Sequence, residues 1–185
     1  MEINRKWEMP NSKTFRIKCI KELIQKYCRG VVIDPFANDG LIRHYIKCDK
    51  YISNDLDPQY KCDYNLEAQE FLKIFSKNSI DVALIDPPYS PRQVSECYKS
   101  FGRTVTMQDT NMSYFLDVKR ELQRIMKEDG IVITFGWNTN GIGKKYGFEI
   151  VEILIVAHGS MHNDTLVTVE RKIKNNKCSY VNLCE

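Results

Sequence analysis

The hydrophobic positions of the chain recur with two different periods. Between residues 17 and 27 apolar side chains return every three or four positions, which predicts a helix. Ser12 is a candidate N-cap for this helix, and Gly30 is placed to end it. Short continuous apolar runs instead predict strands that are buried on both faces, at 31–33, 51–53, 80–85 and 131–135.

Helical and strand patterns alternate through most of the chain. Helical spacing returns in three further segments, around residues 41–46, 68–75 and 115–126. Residues 62–65 are a candidate short strand edge. Two longer apolar runs, 148–157 and 165–170, are joined by a short turn-rich segment and are therefore expected to form an antiparallel hairpin. The alternation predicts an α/β fold of the nucleotide-binding type.

Three segments depart from this periodicity. Residues 1–11 are polar and are expected to be irregular, and residues 171–185 are expected to form a basic, frayed tail. Residues 90–112 have no clear period, and a long irregular segment inside a compact domain is usually functional. With 185 residues, the chain is expected to form one domain, 1–185.

Composition narrows the class of protein only moderately. The net charge of +3 permits nucleic-acid binding without requiring it. Seven cysteines, without any C-x-x-C pair, indicate reduced thiols and a cytoplasmic location. Histidines 44, 158 and 162 have no recognisable metal spacing, so no metal site is predicted. The sequence has neither a hydrophobic signal segment nor an apolar run long enough to span a membrane.

The strand predicted at 80–85 ends in the most informative motif of the chain, Asp86-Pro87-Pro88-Tyr89. The two prolines stop the strand and stiffen an extended corner. The Asp86 carboxylate and the Pro87 carbonyl are hydrogen-bond acceptors that suit an exocyclic amine, and Tyr89 offers a ring for stacking. The same residues would also be compatible with a strand followed by an ordinary polyproline turn.

A second polar turn follows the strand at 31–33. Residues 34–40, Asp-Pro-Phe-Ala-Asn-Asp-Gly, form a turn rich in residue types that tolerate unusual backbone angles. Asp55 lies 21 positions after Asp34, where folds of this type hold the hydroxyl pair of a ribose. Asp57, two residues further on, is an alternative strand-end acid.

Together these motifs resemble those of the amino-group DNA methyltransferases. The turn at 34–40 resembles their D-P-F-x-G-x-G turn, with Asn38 where the family favours glycine, and residues 86–89 match their D-P-P-Y motif in full. The segment 10–15 is similar to the N-terminal cofactor segment of N6-adenine enzymes, and the final hairpin resembles the one that closes their sheet. The resemblance covers roughly residues 7–170, and the small phage-type adenine enzymes are the most similar.

The resemblance implies an S-adenosylmethionine-dependent methyltransferase that acts on the N6 amine of adenine in DNA. The expected fold is a doubly wound, Rossmann-like sheet of seven strands with the last one antiparallel. Asp86, Pro87, Pro88 and Tyr89 would form the catalytic corner. The resemblance also implies a set of cofactor-binding residues: Asp34, Phe36 and Asn38 at the methionine moiety, Asp55 at the ribose, Asp63 at the adenine amine, and Lys13 and Thr14 at the carboxylate.

Several alternatives remain open from the sequence. The corner at 86–89 recognises an amine and not its carrier, so RNA adenine or cytosine N4 are alternative acceptors. A methyltransferase-like subunit without activity is a more distant alternative, to which the departure at Asn38 would be relevant. A base in duplex DNA would have to be flipped out to reach the site. Residues 90–112 are the only candidate target-recognition segment, so a protein partner for recognition is also an alternative.

Overall fold

The computed structural model describes residues 1–88, 112–159 and 162–174, together with Arg92, Glu96 and Gly102. The described strands are β1 (Glu2–Trp7), β2 (Val31–Asp34), β3 (Lys50–Ser53), β4 (Ile80–Ile85), β5 (Met126–Gly136), β6 (Phe148–Ala157) and β7 (Thr165–Lys172). The described α-helices are α1 (Lys18–Tyr27), α2 (Ala68–Lys73) and α3 (Met112–Ile125). Short 3-10 helices lie at Thr14–Arg16, Leu41–His44 and Lys144–Tyr146. None of the helices in these ranges is long and apolar enough to cross a membrane.

The seven strands form one sheet in the order β1-β6-β7-β5-β4-β2-β3. Only the pairings of β7, with β5 and with β6, are antiparallel, and all the others are parallel. The prediction of a doubly wound sheet of seven strands with the last one antiparallel is therefore confirmed, as is the hairpin formed by β6 and β7. The parallel strands all end at one side of the sheet, which we call the carboxyl edge.

The core consists of two apolar layers, one on each face of the sheet. On one face α1 packs against the central strands, where Ile24 joins a buried cluster with Leu84 and Ile133. On the other face Leu72 of α2 and Leu122 of α3 belong to a second buried cluster. Successive residues of a strand point to opposite faces, so β4 contributes apolar side chains to both layers. This explains why its sequence is continuously hydrophobic.

The expectation that residues 1–11 are irregular is wrong for residues 2–7, which form the edge strand β1. Edge strands need little apolar surface, so β1 has no hydrophobic period that would identify it. Its anchor is buried Glu152 on β6, whose carboxylate accepts hydrogen bonds from Asn4 (3.1 Å), Lys26 (2.7 Å) and Tyr27 (2.6 Å). Because these contacts are made to distant parts of the chain, they leave no local pattern in the sequence.

Other predicted boundaries also need correction. Residues 62–65 form no strand, and only an isolated bridge joins Tyr64 to Asn54. The first helix begins at Lys18 without a side-chain cap, so Ser12 is not its N-cap. The segment predicted as a helix from Leu41 is a 3-10 helix that ends at His44.

The expected tail at 171–185 is wrong for its first two residues, which belong to β7. Lys172 is buried, and its ammonium group donates to the carbonyls of Gln123 (2.7 Å) and Met126 (2.6 Å) at the end of α3 and to the Asn78 side chain (3.3 Å). A cation at this position satisfies carbonyls that the helix leaves unpaired. Residues 175–185 lie outside the described residues.

Replacing Lys172 by methionine should lower the free energy of unfolding by about 1–3 kcal/mol, because the carbonyls at the end of α3 lose a charged donor. The matched control is Arg171→Met, since Arg171 is exposed on the same strand, and it should change stability by less than about 0.5 kcal/mol. Urea denaturation of both variants measures the difference. Equal losses in the two variants would contradict this role of Lys172.

Candidate active site

Three acidic residues meet at the carboxyl edge because they follow three neighbouring strands. Asp34 ends β2, Asp55 follows β3, and Asp86 follows β4. Strand β2 lies between the other two in the sheet, which places Asp34 in the middle of the group. The charges of Asp86 and Asp55 both contribute to a raised pKa of Asp34, so Asp34 interacts electrostatically with each of them.

Asp34 lies beneath the turn that it begins, with no solvent exposure. Its carboxyl accepts hydrogen bonds from the Tyr51 hydroxyl (2.8 Å) and the Phe36 N–H (3.3 Å). Burial is the main cause that raises the pKa of Asp34, to about 8, and the neighbouring acids add to it while the two hydrogen bonds oppose it. The carboxyl is therefore neutral near pH 7. These contacts make Asp34 a support of the turn, while its predicted cofactor contact stays a prediction.

Two residues of the turn at 34–40 have a left-handed backbone. Asn38 adopts a left-handed backbone with φ of 52°, and Gly40 does the same with φ of 60°. Asparagine tolerates this conformation better than most other residues. The half-buried Phe36 packs against the core beneath the sheet face that carries α2 and α3. Asn38 thus adopts a backbone conformation that glycine adopts most readily.

Asp55 connects this turn to the loop after β3. One carboxylate oxygen accepts the Asn38 N–H (2.7 Å) and the other accepts the Asp57 N–H (2.9 Å). The side chain is half-buried, and burial raises its pKa. A carboxylate oxygen has two lone pairs, so each oxygen retains capacity for a further donor. The alternative acid, Asp57, is buried and binds the Gln59 N–H (2.9 Å), which assigns it to the loop.

Two asparagines that the sequence did not single out hold this loop in place. Asn54 is fully buried and donates to the carbonyls of Pro35 (3.0 Å) and Leu66 (2.9 Å), while its own backbone carbonyl accepts the Ala37 N–H (2.9 Å). Asn65 donates to the backbone carbonyl of Asp55 (2.8 Å). The signal that was available was the position of Asn54 directly after a strand, where side-chain amides commonly replace missing backbone partners.

Asp63 lies at the mouth of the same region with part of its side chain exposed. One oxygen, Oδ2, accepts the Ser53 N–H (2.8 Å), the Ser53 hydroxyl (2.8 Å) and the Arg43 guanidinium (3.1 Å). Burial alone would raise the pKa of Asp63, but these donors and the charge of Arg43 lower it. Asp63 is therefore an ionised, fixed acceptor, and its contact with an adenine amine stays a prediction.

The segment that contains Lys13 and Thr14 lies against the turn at 34–40. The Lys13 ammonium pairs with the Asp39 carboxylate, and the Arg16 guanidinium lies 3.2 Å from the same carboxylate. Thr14 begins the 3-10 helix that carries Arg16. The structure thus brings a cation to the turn where the resemblance places the carboxylate of the cofactor, although it does not test that contact.

The corner after β4 is described as far as Pro88. Ile85 is fully buried at the end of the strand, Asp86 and Pro87 are half-buried, and Pro88 is exposed. Tyr89 lies outside the described residues, as does the candidate recognition segment 90–112 apart from Arg92, Glu96, Gly102 and the backbone at 112. The buried strand β4 therefore fixes the position of Asp86 at the carboxyl edge.

Two further side chains lie at the carboxyl edge, one after β5 and one after β6. Trp137, which follows β5, is 44% exposed and is therefore not a core residue. In the connection between β6 and β7, the Asp164 carboxylate accepts the His158 N–H (3.4 Å).

Comparisons with known proteins support the fold. No protein-family model matches the sequence, and no curated protein sequence matches it. TrmN from Thermus thermophilus is 15% identical with a TM-score of 0.57, over 85% of this chain and 49% of that one, so the chain spans about half the length of TrmN. An rRNA methylase from Streptococcus thermophilus is 10% identical with a TM-score of 0.53, over 83% and 95% of the two chains.

A third similar structure contains bound ligands. The 1,6-didemethyltoxoflavin-N1-methyltransferase from Burkholderia thailandensis, solved with 1,6-didemethyltoxoflavin and S-adenosylhomocysteine, is 11% identical with a TM-score of 0.55, over 85% of this chain and 78% of that one. These likenesses, together with the strand order, show that the chain has the Rossmann-like fold of S-adenosylmethionine-dependent methyltransferases.

The Asp34→Asn variant should become progressively more stable than the unchanged protein as pH rises. A carboxyl whose pKa is raised by folding stabilises the protein fully below its unfolded pKa, near 4, and this contribution is lost as pH rises to the folded value of about 8. The stability of Asp34→Asn relative to the unchanged protein should therefore increase across this window, by up to about 1.4 kcal/mol per pH unit. Parallel pH curves for the two proteins, measured by urea denaturation, would show that the folded state holds Asp34 ionised.

Proposed function

We propose that the protein is an S-adenosylmethionine-dependent methyltransferase that methylates the N6 amine of adenine in DNA. The observation that carries the proposal is the half-buried Asp86, which follows the buried strand β4 and is continued by Pro87-Pro88-Tyr89 in the sequence. Strand β4 is the neighbour of β2, so this corner lies beside the turn at 34–40. The pairing of an amine-binding corner with a cofactor turn supports this reaction class.

The residues around the turn fit S-adenosylmethionine. Asp55 is held by two N–H groups and has acceptor capacity left for the ribose hydroxyls. Lys13 brings an ammonium group to the turn, close to where the methionine carboxylate would bind, with Thr14 next to it. Asp63 is a fixed acceptor for the adenine amine, and Asn38 and Phe36 lie in the turn at the methionine moiety. When bound, the cofactor supplies an electrophilic methyl group on a sulfonium.

The role of Asp86 follows from the chemistry of the acceptor. The lone pair of an aromatic exocyclic amine is delocalised into the ring, which makes the amine a poor nucleophile. If the Asp86 carboxylate accepts one N–H and the Pro87 carbonyl accepts the other, the nitrogen is drawn towards tetrahedral geometry and its lone pair is oriented towards the methyl group. Orientation and preorganised electrostatics then lower the barrier without a covalent enzyme intermediate.

In the proposed reaction the amine loses its proton after methyl transfer, because it is acidic only once it is methylated. The amine nitrogen would take the methyl group that bound S-adenosylmethionine would supply, and only the methylated nitrogen would carry a positive charge that makes its N–H acidic. Asp86 therefore acts first as a positioning acceptor, and the proton of the methylated amine then passes to its carboxylate and on to water. Tyr89 would stack on the base, which must be flipped out of a duplex to reach the corner.

A second candidate function is methylation of adenine in RNA. The corner at Asp86 recognises an amine and not the sugar that carries it, and one of the similar structures is that of an rRNA methylase. Cytosine N4 is a further acceptor with the same amine chemistry. Target recognition would come from residues 90–112 or from a protein partner, and the alternative of a subunit without activity is an outcome of the experiments below.

Replacing Asp86 by alanine should reduce methyl transfer at least about 100-fold, because the amine loses the charged acceptor that orients it. The measurement is transfer of labelled methyl from S-adenosylmethionine to unmethylated DNA, with RNA in parallel and mass spectrometry of the nucleosides. N6-methyladenine from DNA is the expected product. Asp49→Ala is the matched control, since Asp49 is exposed at the opposite edge of the sheet, before β3.

Other outcomes of this assay would change the proposal in defined ways. Product from RNA alone would retain the chemistry and overturn the DNA substrate, and N4-methylcytosine would overturn the base. Transfer that survives Asp86→Ala would overturn the role of the corner. Cofactor binding without any product would identify a missing partner or another acceptor, while the loss of both would favour the inactive subunit.

Replacing Asp55 by asparagine should weaken S-adenosylmethionine binding about tenfold or more, because the ribose hydroxyls lose a charged acceptor. Titration calorimetry measures the dissociation constant, and Asp49→Asn is the control with the same chemical change at an exposed site. Thermal unfolding of the apo variant separates this effect from damage to the turn that Asp55 holds. Unchanged affinity in a folded Asp55→Asn variant would assign the ribose contact to another residue.

A further inference from the structure

Among the residues that the structure describes, β1 is an end strand of the sheet, and its outer side is exposed. It pairs in parallel with β6 on one side and is the first strand in the sheet order. Five of its six residues are exposed, including Ile3 at 58% and Trp7 at 63%. Exposed apolar side chains on an unprotected edge strand favour pairing with another strand.

The direction of the backbone groups limits how a second strand can pair with β1. The Glu8 N–H donates to the Ala157 carbonyl of β6 (3.1 Å), so this residue faces inwards. Successive residues of a strand alternate in direction, so the N–H and C=O groups of Glu2, Asn4 and Lys6 also face β6. The corresponding groups of Ile3, Arg5 and Trp7 face outwards.

We propose that β1 is a homodimer interface, in which a second copy of this chain adds its own β1 in an antiparallel arrangement. The two copies would be related by a two-fold axis that passes between Asn4 and the partner's Asn4. Isologous pairing of this kind is self-complementary, so each contact occurs twice. The proposal concerns the edge of the sheet and is independent of the proposed function.

The register follows from direction and charge. In an antiparallel pair, a hydrogen-bonded pair joins two residues that both face outwards. The two-fold axis must therefore pass through a residue position, because an axis between two residues would place outward-facing residues opposite inward-facing ones. An axis at Asn4 places Glu2 opposite the partner's Lys6, so two pairs of opposite charge form. An axis at Arg5 would instead place the two guanidinium groups opposite each other and Glu2 opposite the partner's Glu8. Charge complementarity therefore selects Asn4.

The same register pairs the apolar side chains of β1 on the other face. Ile3 lies opposite the aliphatic stem of the partner's Arg5, and Trp7 lies opposite the partner's Met1, whose thioether packs well against an aromatic ring. Half-buried Ile153 and Ile155 of β6 extend this apolar surface. Antiparallel joining makes the two carboxyl edges point in opposite directions, so both candidate active sites stay open.

The first experiment measures the mass of the full chain in solution by sedimentation equilibrium. The expected species is a dimer with twice the chain mass of 21.7 kDa. Arg5→Pro removes the side chain and one outward-facing N–H, a loss that an edge strand tolerates, and should give a folded monomer. Arg5→Ala is the matched control, because it removes the same side chain, keeps the N–H and should remain a dimer. Circular dichroism confirms that both variants are folded.

The second experiment tests the register. Lys6→Glu places like charges opposite the partner's Glu2 at two positions and should raise the dimer dissociation constant about tenfold or more. The double variant Glu2→Lys/Lys6→Glu restores both opposite-charge pairs and should recover most of the affinity. A monomer at every concentration up to about 1 mM overturns the proposal, and so does a dimer that Arg5→Pro leaves intact. A double variant that fails to recover overturns the register.

Discussion

Two hydrogen bonds hold the turn after β2 to the loop after β3, and the candidate site depends on them. Asp55 accepts the N–H of Asn38, and the backbone carbonyl of Asn54 accepts the N–H of Ala37. Neither loop has a regular structure of its own, so these bonds and the buried Asn54 side chain determine their relative position. A preorganised surface of this kind loses little conformational entropy when a ligand binds.

The acidic cluster at the carboxyl edge is compatible with folding because its central member is neutral. Three carboxylates on adjacent strands would repel one another in a half-buried setting. Burial raises the pKa of Asp34 to about 8, so at pH 7 this carboxyl is neutral and adds no negative charge beside Asp55 and Asp86. In the proposed reaction these two groups have separate tasks, the first at the ribose and the second at the amine. The buried acid supports the surface on which both act.

The opposite half of the sheet is built on different interactions. Glu152 gathers Asn4, Lys26 and Tyr27, and thereby joins β1 and α1 to β6. Lys172 plays a comparable part at the amino edge, where it joins β7 to the end of α3. These buried charged groups add polar contacts between elements, and β1, which has few apolar contacts of its own, depends on them most. At this end of the sheet, the edge strand β1 exposes both charged and apolar side chains.

The sequence by itself determined the central strands and the positions of Asp34, Asp55 and Asp86, because burial on both faces leaves a continuous apolar run and the acids follow such runs directly. Only the tertiary structure decided that residues 2–7 form a strand, that Lys172 is buried and that Asn54 holds the site. Each depends on partners remote in the chain, as with Asn4 and Glu152, which are 148 positions apart. Local patterns record what a segment buries, but they do not record which distant polar group will satisfy it.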